Sequence, residues 1–240
     1  MRLIPIALIL LTFSSCATYQ YATLDSTEVR KNDKKDFSWE NDTMRLTYNF
    51  HGEGGPISMT VFNKMDKPLF VIWKKSALIR GGQAYSLYDN HVEFSGGYAG
   101  LGTRVGGVQS SSGSFGGSFD LPEGTNLVPP GSFITKNLGA TVQPGPLYSD
   151  KFTDKVQPQQ LGFVNAIGTA YKYRRYTFDQ AGSPLQFKSY LTFVMANSQQ
   201  EFSVTHSFYV QEVVTTDESP ELFTIYKPQG DQLWIKKPGN

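Results

Sequence analysis

Short runs of alternating apolar and polar residues recur along most of the chain, and they predict β-strands. In Met44–Phe50 every second residue is apolar, and Ile57–Asn63 repeats the pattern. Side chains of a strand point alternately to its two faces, so this period of two is typical of a strand with one buried face. Leu69–Trp73 is apolar almost throughout, which predicts a strand buried on both faces.

The same signals, separated by turn residues, predict further strands at Ala77–Ile79, Gln83–Tyr88, His91–Phe94, Asn126–Pro130, Ser132–Lys136, Tyr171–Phe178, Pro184–Ala196, Glu201–Val214 and Leu222–Tyr226. Strands that recur about every 10 residues with turn signals between them indicate a sandwich or a barrel. No segment shows a sustained helical period. We therefore predict an all-β fold, an antiparallel β-sandwich that is Ig-like or related, with long loops and little helix.

Composition shifts divide the chain into four parts. We predict a leader at 1–15, a lipidated N-terminus and flexible tether at 16–41, a β-sandwich domain at 42–228 and a C-terminal tail at 229–240. The tether is predicted because its residues are mostly polar and include a charged run without apolar partners. Within the sandwich, the Gly/Ser-rich stretch 95–119 predicts a long inserted surface loop.

The leader has the layout of a secretory signal peptide. Arg2 gives a positive start, and Leu3–Phe13 is an apolar run of about 11 residues. A transmembrane helix needs ~20 such residues, so this run is too short to span a bilayer. Two serines then stand directly before Cys16. We therefore predict that residues 1–15 are removed.

Cys16 is the only cysteine in the 240 residues. An unpaired exposed thiol would be unusual in an oxidising compartment, which argues against an ordinary signal peptide with a chance cysteine. The segment Phe13–Cys16 resembles the lipobox of bacterial lipoproteins. That resemblance implies diacylglyceryl on the Cys16 sulfur, cleavage before Cys16 and acylation of the new amine. Several fatty-acyl chains, such as palmitate, anchor a protein stably, whereas one chain binds only marginally.

The charge balance constrains the partners. Lys and Arg number 22 against 21 Asp and Glu, and because Arg2 leaves with the leader the mature chain has 21 of each. This balance argues against nucleic acid as a partner and against purely electrostatic membrane attachment. The predicted partners are therefore the membrane, through the N-terminal lipid, and an envelope protein or glycan.

Scattered segments resemble uncharacterised lipoproteins of Bacteroides-type bacteria: Cys16–Tyr19, Phe62–Leu69, Trp73–Ser76, Pro129–Pro130 and Ser207–Val210. The resemblance implies a cell-envelope habitat and fold, with no assigned activity. Asp25–Thr27 and Asp42–Met44 resemble the acceptor pattern for O-glycosylation in the envelopes of such bacteria, which implies glycan on Ser26 and Thr43. No aspartate follows Cys16 directly, which in familiar bacterial lipoproteins implies export past the inner membrane. Residues 17–24 also lack the acidic residues that would resemble a surface-export signal of Bacteroides-type bacteria. We therefore predict attachment to the outer membrane, with the periplasmic face favoured over the cell surface.

The sequence offers no recognisable catalytic or metal-binding motif. His51, His91 and His206 lie far apart in the chain and lack the paired spacing of metal ligands. His206 is in phase with the apolar residues of its strand, which predicts a hydrogen-bonded core histidine. Two lysines precede Ser76, but a solvated strand end is a simpler interpretation than a Ser–Lys pair. We predict no metal, no cofactor and no enzymatic activity.

One segment, Tyr171–Tyr176, interleaves basic and aromatic residues as ligand platforms do. Strand alternation places Tyr171, Tyr173 and Arg175 on one face. Outside the cytoplasm the ligand of such a face would be a glycan. The alternative is an amphipathic strand whose aromatic face packs inside the protein.

Three functions follow from these patterns. The first is a lipid-anchored cell-envelope protein without enzymatic activity, acting as a structural or interaction module. The second is a glycan-binding or adhesive lipoprotein that uses aromatic residues such as Trp39, Tyr173 or Trp234. The third is an envelope hydrolase whose carboxylates are dispersed along the chain.

Overall fold

The computed structural model describes residues 18–88, 123–140, 147, 158–165, 167–196, 198 and 200–237. In chain order the strands of these ranges are β1 (Thr18–Asp25), β2 (Arg30–Lys31), β3 (Phe37–Glu40), β4 (Met44–Asn49), β5 (Gly52–Glu53), β6 (Pro56–Asn63), β7 (Leu69–Ile72), β8 (Ala77–Arg80), β9 (Gln83–Ser86), β10 (Thr125–Val128), β11 (Phe133–Ala140), β12 (Gln159–Val164), β13 (Ala170–Thr177), β14 (Gln186–Met195), β15 (Glu201–Thr216) and β16 (Gln232–Lys237). A 3-10 turn at Trp73–Lys75 joins β7 to β8.

The described strands form two sheets. The smaller sheet has the order β11-β6-β4-β3-β2, and the other 11 strands form the larger sheet along the path β10-β7-β14-β15-β1-β16-β5. Neighbouring strands in these ranges run antiparallel, apart from β16 and β5, which are parallel. The predicted all-β sandwich is confirmed.

The main core lies between the two sheets. Its smaller-sheet side is built by the alternating apolar residues of β4 and β6, all of which are buried, as the sequence predicts. At its centre, five aromatic rings pack with centroids 5.1 to 6.4 Å apart: Phe37, Tyr48, Phe50, Phe187 and Phe208. Most of these pairs meet edge to face, the arrangement that favours aromatic pairs beyond their buried area.

The predicted tether at 16–41 is wrong from Thr18 onward. Thr18–Asp25 forms β1, which lies between β15 and β16 in the middle of the larger sheet. Tyr21, Ala22 and Leu24 are buried, on both faces of the strand. Because both faces are packed, β1 lacks the clean alternation of a half-buried strand, and its glutamine and threonines read as polar. The charged run, Lys31–Asp36, spans the end of β2 and the turn that leads to β3 of the smaller sheet.

The predicted tail at 229–240 and the predicted strand Leu222–Tyr226 are also wrong. Residues Gln232–Lys237 form β16, whose Leu233 and Ile235 enter the main core. Residues 222–226 instead form turns, because the amides of Leu222 and Phe223 both donate to the carbonyl of Ser219, at 3.0 and 2.9 Å. The sandwich therefore extends over 18–237 instead of 42–228. The predicted strand His91–Phe94 and the loop 95–119 lie outside the described residues.

A second, smaller cluster lies on the other face of the larger sheet. Tyr21, Tyr173, Val214 and Phe223 are its buried members. We call it the outer cluster, and we call residues 217–231, which run from β15 to β16 and contribute Phe223, the roof segment. The outer cluster includes the face of β13 that the sequence analysis considered for ligand binding.

Candidate functional site

The start of β1 determines where anything attached to Cys16 must lie. Thr18 pairs with Lys237, and Tyr19 pairs with both Thr216 and Lys236. The Thr18 hydroxyl also donates to Asp217 Oδ1 at 3.2 Å. Cys16 precedes Thr18 by two residues, so the chain can separate them by no more than about 7 Å. A group bound to Cys16 therefore stays near the start of β1, which lies beside the last residues of β15 and β16. We call this end of the larger sheet the Thr18 end.

The hairpin of β12 and β13 projects at the same end. Arg174 pairs with Thr215, which pairs with Gln20 of β1. Arg174 is therefore level with Gln20. Ala170 precedes Arg174 by four residues and faces Val164 across the hairpin. The four residues from Ala170 to Arg174 span about 13 Å at ~3.3 Å per residue, so Ala170 lies about 13 Å beyond Gln20 along the strand direction. Cys16 also precedes Gln20 by four residues, so the hairpin turn reaches about as far as the chain to Cys16 can.

The hairpin turn is held by a buried amide. Asn165 Oδ1 accepts hydrogen bonds from the amides of Ile167 and Thr169, at 3.2 and 2.8 Å, and Asn165 Nδ2 donates to Glu218 Oε2 at 3.3 Å. Gly168 adopts φ +84°, a conformation that glycine reaches without strain. The turn is therefore fixed to the roof segment.

The turn exposes apolar side chains. Ile167 is 72% exposed and Val164 is 59% exposed, the two highest values among the exposed large apolar residues of the described ranges. Thr224 of the roof segment donates its hydroxyl to the Val164 carbonyl at 3.1 Å, and the next residue, Ile225, is 38% exposed. These three residues, Val164, Ile167 and Ile225, form what we call the aliphatic tip.

Basic residues follow the aliphatic tip along the hairpin, toward the body of the larger sheet. Lys172 and Arg174 share the face of the hairpin that carries Val164, because Gly162 pairs with Lys172 and Gln160 pairs with Arg174. Together with Thr215 and Asp217 they line a shallow cavity of about 310 Å³. Lys236 and Lys237 end β16 at the same edge. The Thr18 end thus combines an apolar projection with a cationic border.

Comparisons with other proteins add no relative. No family model, no curated protein and no solved structure matches this chain.

The predicted ligand face of Tyr171, Tyr173 and Arg175 is wrong as a stacking platform. Tyr173 is only 6% exposed, and its ring packs against Phe163 and Phe223 with centroid distances of 5.9 and 5.8 Å. Arg175 is paired with Glu212, with Nε 3.3 Å from Oε2. The alternative of an amphipathic strand holds, because the face of Tyr173 packs in the outer cluster while Lys172 and Arg174 on the opposite face are exposed.

Tyr171 and the two candidate tryptophans are also engaged in packing. Tyr171 lies against Phe163 at 6.0 Å, and its hydrogen bond to the carboxylate of Glu218 raises its pKa. Trp39 is half-buried against His206 at 5.1 Å, and Trp234 is half-buried against Tyr19 at 6.1 Å. The aromatic residues proposed for glycan stacking therefore serve the two clusters.

The two predicted O-glycosylation positions belong to turns of the folded body. Ser26 follows β1, and its hydroxyl oxygen accepts the amides of Glu28 and Val29, each at 3.2 Å. Thr43 is half-buried before β4, and its carbonyl accepts the amide of Lys64 at 2.9 Å. Modification of Ser26 would compete with these bonds. O-glycosylation at both positions stays a prediction.

The histidines in the described ranges are separate and structural. His206 is buried, and its Nδ1 lies 2.9 Å from the Tyr48 hydroxyl, which confirms the prediction of a hydrogen-bonded core histidine. Burial lowers its pKa to about 4. His51 instead contacts Tyr226, with Nδ1 3.1 Å from the hydroxyl. His91 lies outside the described residues, and those residues contain no group of three potential metal ligands.

Ser76 likewise has a structural role. Its buried hydroxyl donates to the Ile72 carbonyl at 2.7 Å and accepts the amide of Thr192 at 3.0 Å. The two preceding lysines pair elsewhere, Lys74 with Glu123 and Lys75 with Glu201. The Ser76 hydroxyl and both lysine ammonium groups are therefore engaged with other partners.

The features of the Thr18 end were missed by sequence reasoning. The alternation predicts no strand between Lys136 and Tyr171, so it does not predict β12 or its turn to β13. The available signal was an asparagine and a glycine three residues apart between apolar runs, the spacing of Asn165 and Gly168. Within the described ranges no helix has the length and hydropathy needed to cross a bilayer.

Proposed function

We propose that this chain is a lipid-anchored cell-envelope protein whose β-sandwich body is a non-enzymatic structural or interaction module. The proposal rests on the leader and on Cys16, the only cysteine, at its end. Acyl chains on Cys16 would hold the mature protein on a bilayer. The resemblance to Bacteroides-type lipoproteins remains a prediction and is consistent with this assignment.

The short connection between Cys16 and β1 supports the same proposal and changes its form. With β1 starting at Thr18, the anchor would lead directly into the central strand of the larger sheet. The body would then sit on the bilayer instead of hanging from a tether. Ser76, His51 and His206 make structural hydrogen bonds, so the proposal assigns them roles in the fold.

Fractionation of cells expressing the full chain tests the anchor. We expect the wild-type protein in the membrane fraction, and we expect Cys16→Ser to lose this association or to retain an uncleaved leader. Ser26→Ala is a suitable control, since it changes a serine near the N-terminus without touching the acylated position. Equal distribution of wild type and Cys16→Ser after leader removal would contradict the proposal.

Protease treatment of intact cells tests the orientation. A body on the periplasmic face of the outer membrane stays intact until the outer membrane is permeabilised. Digestion of the protein on intact cells would instead show surface display, the less favoured orientation.

A further inference from the structure

We infer that the Thr18 end is a bilayer-contact surface, in which the aliphatic tip enters the membrane interface and the basic residues behind it face anionic headgroups. This inference rests on the proposed lipid anchor, because the anchor brings this end to the membrane. It goes further, since a lipid on Cys16 alone would leave the orientation of the body free.

The position of the tip is the first argument. Covalent geometry keeps Cys16 within about 7 Å of Thr18, and the turn of the β12–β13 hairpin reaches about as far along the sheet. An acyl chain starting at Cys16 is therefore within reach of a bilayer surface that lies at the level of Val164 and Ile167. The two most exposed large apolar residues of the described ranges lie at this level.

The layering of side chains is the second argument. On one face of the hairpin, Val164 is followed by Lys172 and then Arg174, at distances of ~7 and ~13 Å along the strands. Interfacial segments bury their apolar side chains about 5–10 Å deep, with Lys and Arg at the headgroups. Although the mature chain carries no net charge, Lys236 and Lys237 add to the cationic border here. Asp217 and Glu221 are the exposed acidic residues of the adjoining roof segment.

The rigidity of the turn is the third argument. Asn165 fixes the amides of Ile167 and Thr169, and Glu218 fixes Asn165. A turn held in this way presents Ile167 with little further loss of backbone conformational entropy on contact with lipid. A solvent-exposed loop tip would more usually carry small polar residues.

An environment-sensitive label on residue 167 tests the inference in the acylated protein. Ile167→Cys introduces the only reactive thiol, because Cys16 is acylated in the mature form, and it is labelled with a nitrobenzoxadiazole dye. The protein is reconstituted in vesicles of phosphatidylethanolamine and phosphatidylglycerol at 3:1. We expect the emission to shift to shorter wavelength on vesicle binding and to be quenched by lipids carrying doxyl groups near the headgroup.

Leu127→Cys is the matched control. Leu127 is 49% exposed and lies in β10, beside β7 and β14 at the opposite end of the larger sheet. Its label should show neither the shift nor the quenching. If position 167 behaves like position 127, the tip stays in water and the inference is wrong, even when intact mass shows lipid on Cys16.

A second experiment separates the tip from the anchor. The described fold starts at Thr18, so a chain of residues 17–240 retains every described strand and carries no lipid. We expect this chain to float weakly with the same vesicles, and less at high salt. Ile167→Ser should reduce the flotation about tenfold, because one large aliphatic side chain no longer enters the interface. Lys172→Gln with Arg174→Gln should remove the salt sensitivity.

Three results of the second experiment would overturn the inference. These are the absence of flotation, flotation unchanged by Ile167→Ser, and equal flotation with neutral phosphatidylcholine vesicles. Circular dichroism of each variant confirms folding, which the exposed positions of the substituted residues favour. A failed anchor is recognised separately by a mass that lacks lipid on Cys16.

Discussion

The two faces of the larger sheet are covered in different ways. The inner face packs against the second sheet, and the main core contains aliphatic and aromatic residues from most of the described strands. The outer cluster has only four buried members, and its cover is the roof segment, which is built of turns. Its side chains are mostly tyrosine and phenylalanine, and its position is close to Thr18.

This difference indicates a division of roles. The main core carries the stability of the whole sandwich, since it buries most of the apolar surface. The outer cluster contributes less, but it fixes the roof segment and the β12–β13 hairpin, the two parts that form the aliphatic tip. Damage to the main core should therefore unfold the protein, whereas damage to the outer cluster should loosen the Thr18 end.

Phe208→Ala should have the largest effect on stability. The Phe208 ring lies 5.1 Å from the rings of Phe37, Tyr48 and Phe50. We expect a loss of about 3–5 kcal/mol in the free energy of unfolding, the usual cost of removing a fully buried phenylalanine. Urea denaturation measures it. The same substitution at Phe133, which is 48% exposed, should change stability by less than about 0.5 kcal/mol; similar losses at both positions would contradict the assignment of the core.

A pH dependence should follow from the buried His206. Its pKa falls from the ordinary 6.5 to about 4, because burial disfavours the charged ring. Between these values the unfolded chain binds a proton that the folded chain does not bind. Stability is therefore full above about pH 6.5 and decreases by roughly 3 kcal/mol as the pH falls to about 4.

Denaturation at several pH values, with His206→Gln as the comparison, checks this dependence. The variant lacks the titrating ring and should lose most of the decrease between pH 6.5 and 4. An equal decrease in both proteins would assign the effect to other groups.

Phe223→Ala should have a smaller and more local effect. Its ring packs 4.8 Å from the rings of both Tyr21 and Phe163. We expect about 1–3 kcal/mol, less than at Phe208, because the turns of the roof segment can close part of the cavity. Hydrogen exchange should quicken in residues 159–177 and 217–231 but not in β4 and β6. Uniform quickening would show that the two faces are not separable.

The sequence predicts much of the main core but not the outer cluster. The alternation in β4 and β6 predicts the buried residues correctly, because each strand has one buried face. β1 and β16 were missed, since β1 is packed on both faces and β16 is a short strand near the end of the chain. Tyr173 was misplaced because its burial depends on Phe223, which is 50 residues away in the chain and approaches only after folding.

Tyr226→Phe should reduce stability less than Phe208→Ala or Phe223→Ala. It removes a hydroxyl that lies 3.1 Å from His51 Nδ1 at the border of the outer cluster, and burial raises the pKa of that hydroxyl. We expect a loss of about 1 kcal/mol. The control is Tyr85→Phe, whose exposed hydroxyl donates to Gln83 Oε1 and should contribute almost nothing. A larger loss at Tyr85 would contradict this ranking.

We propose that Cys16 carries the lipid that holds this sandwich on a bilayer. Mass spectrometry of the N-terminal peptide from membrane-purified protein tests it most directly. The account predicts a peptide that begins at Cys16, with a diacylglyceryl group on the sulfur and an acyl group on the amine. A free Cys16 thiol, or a peptide that still begins at Met1, would contradict it.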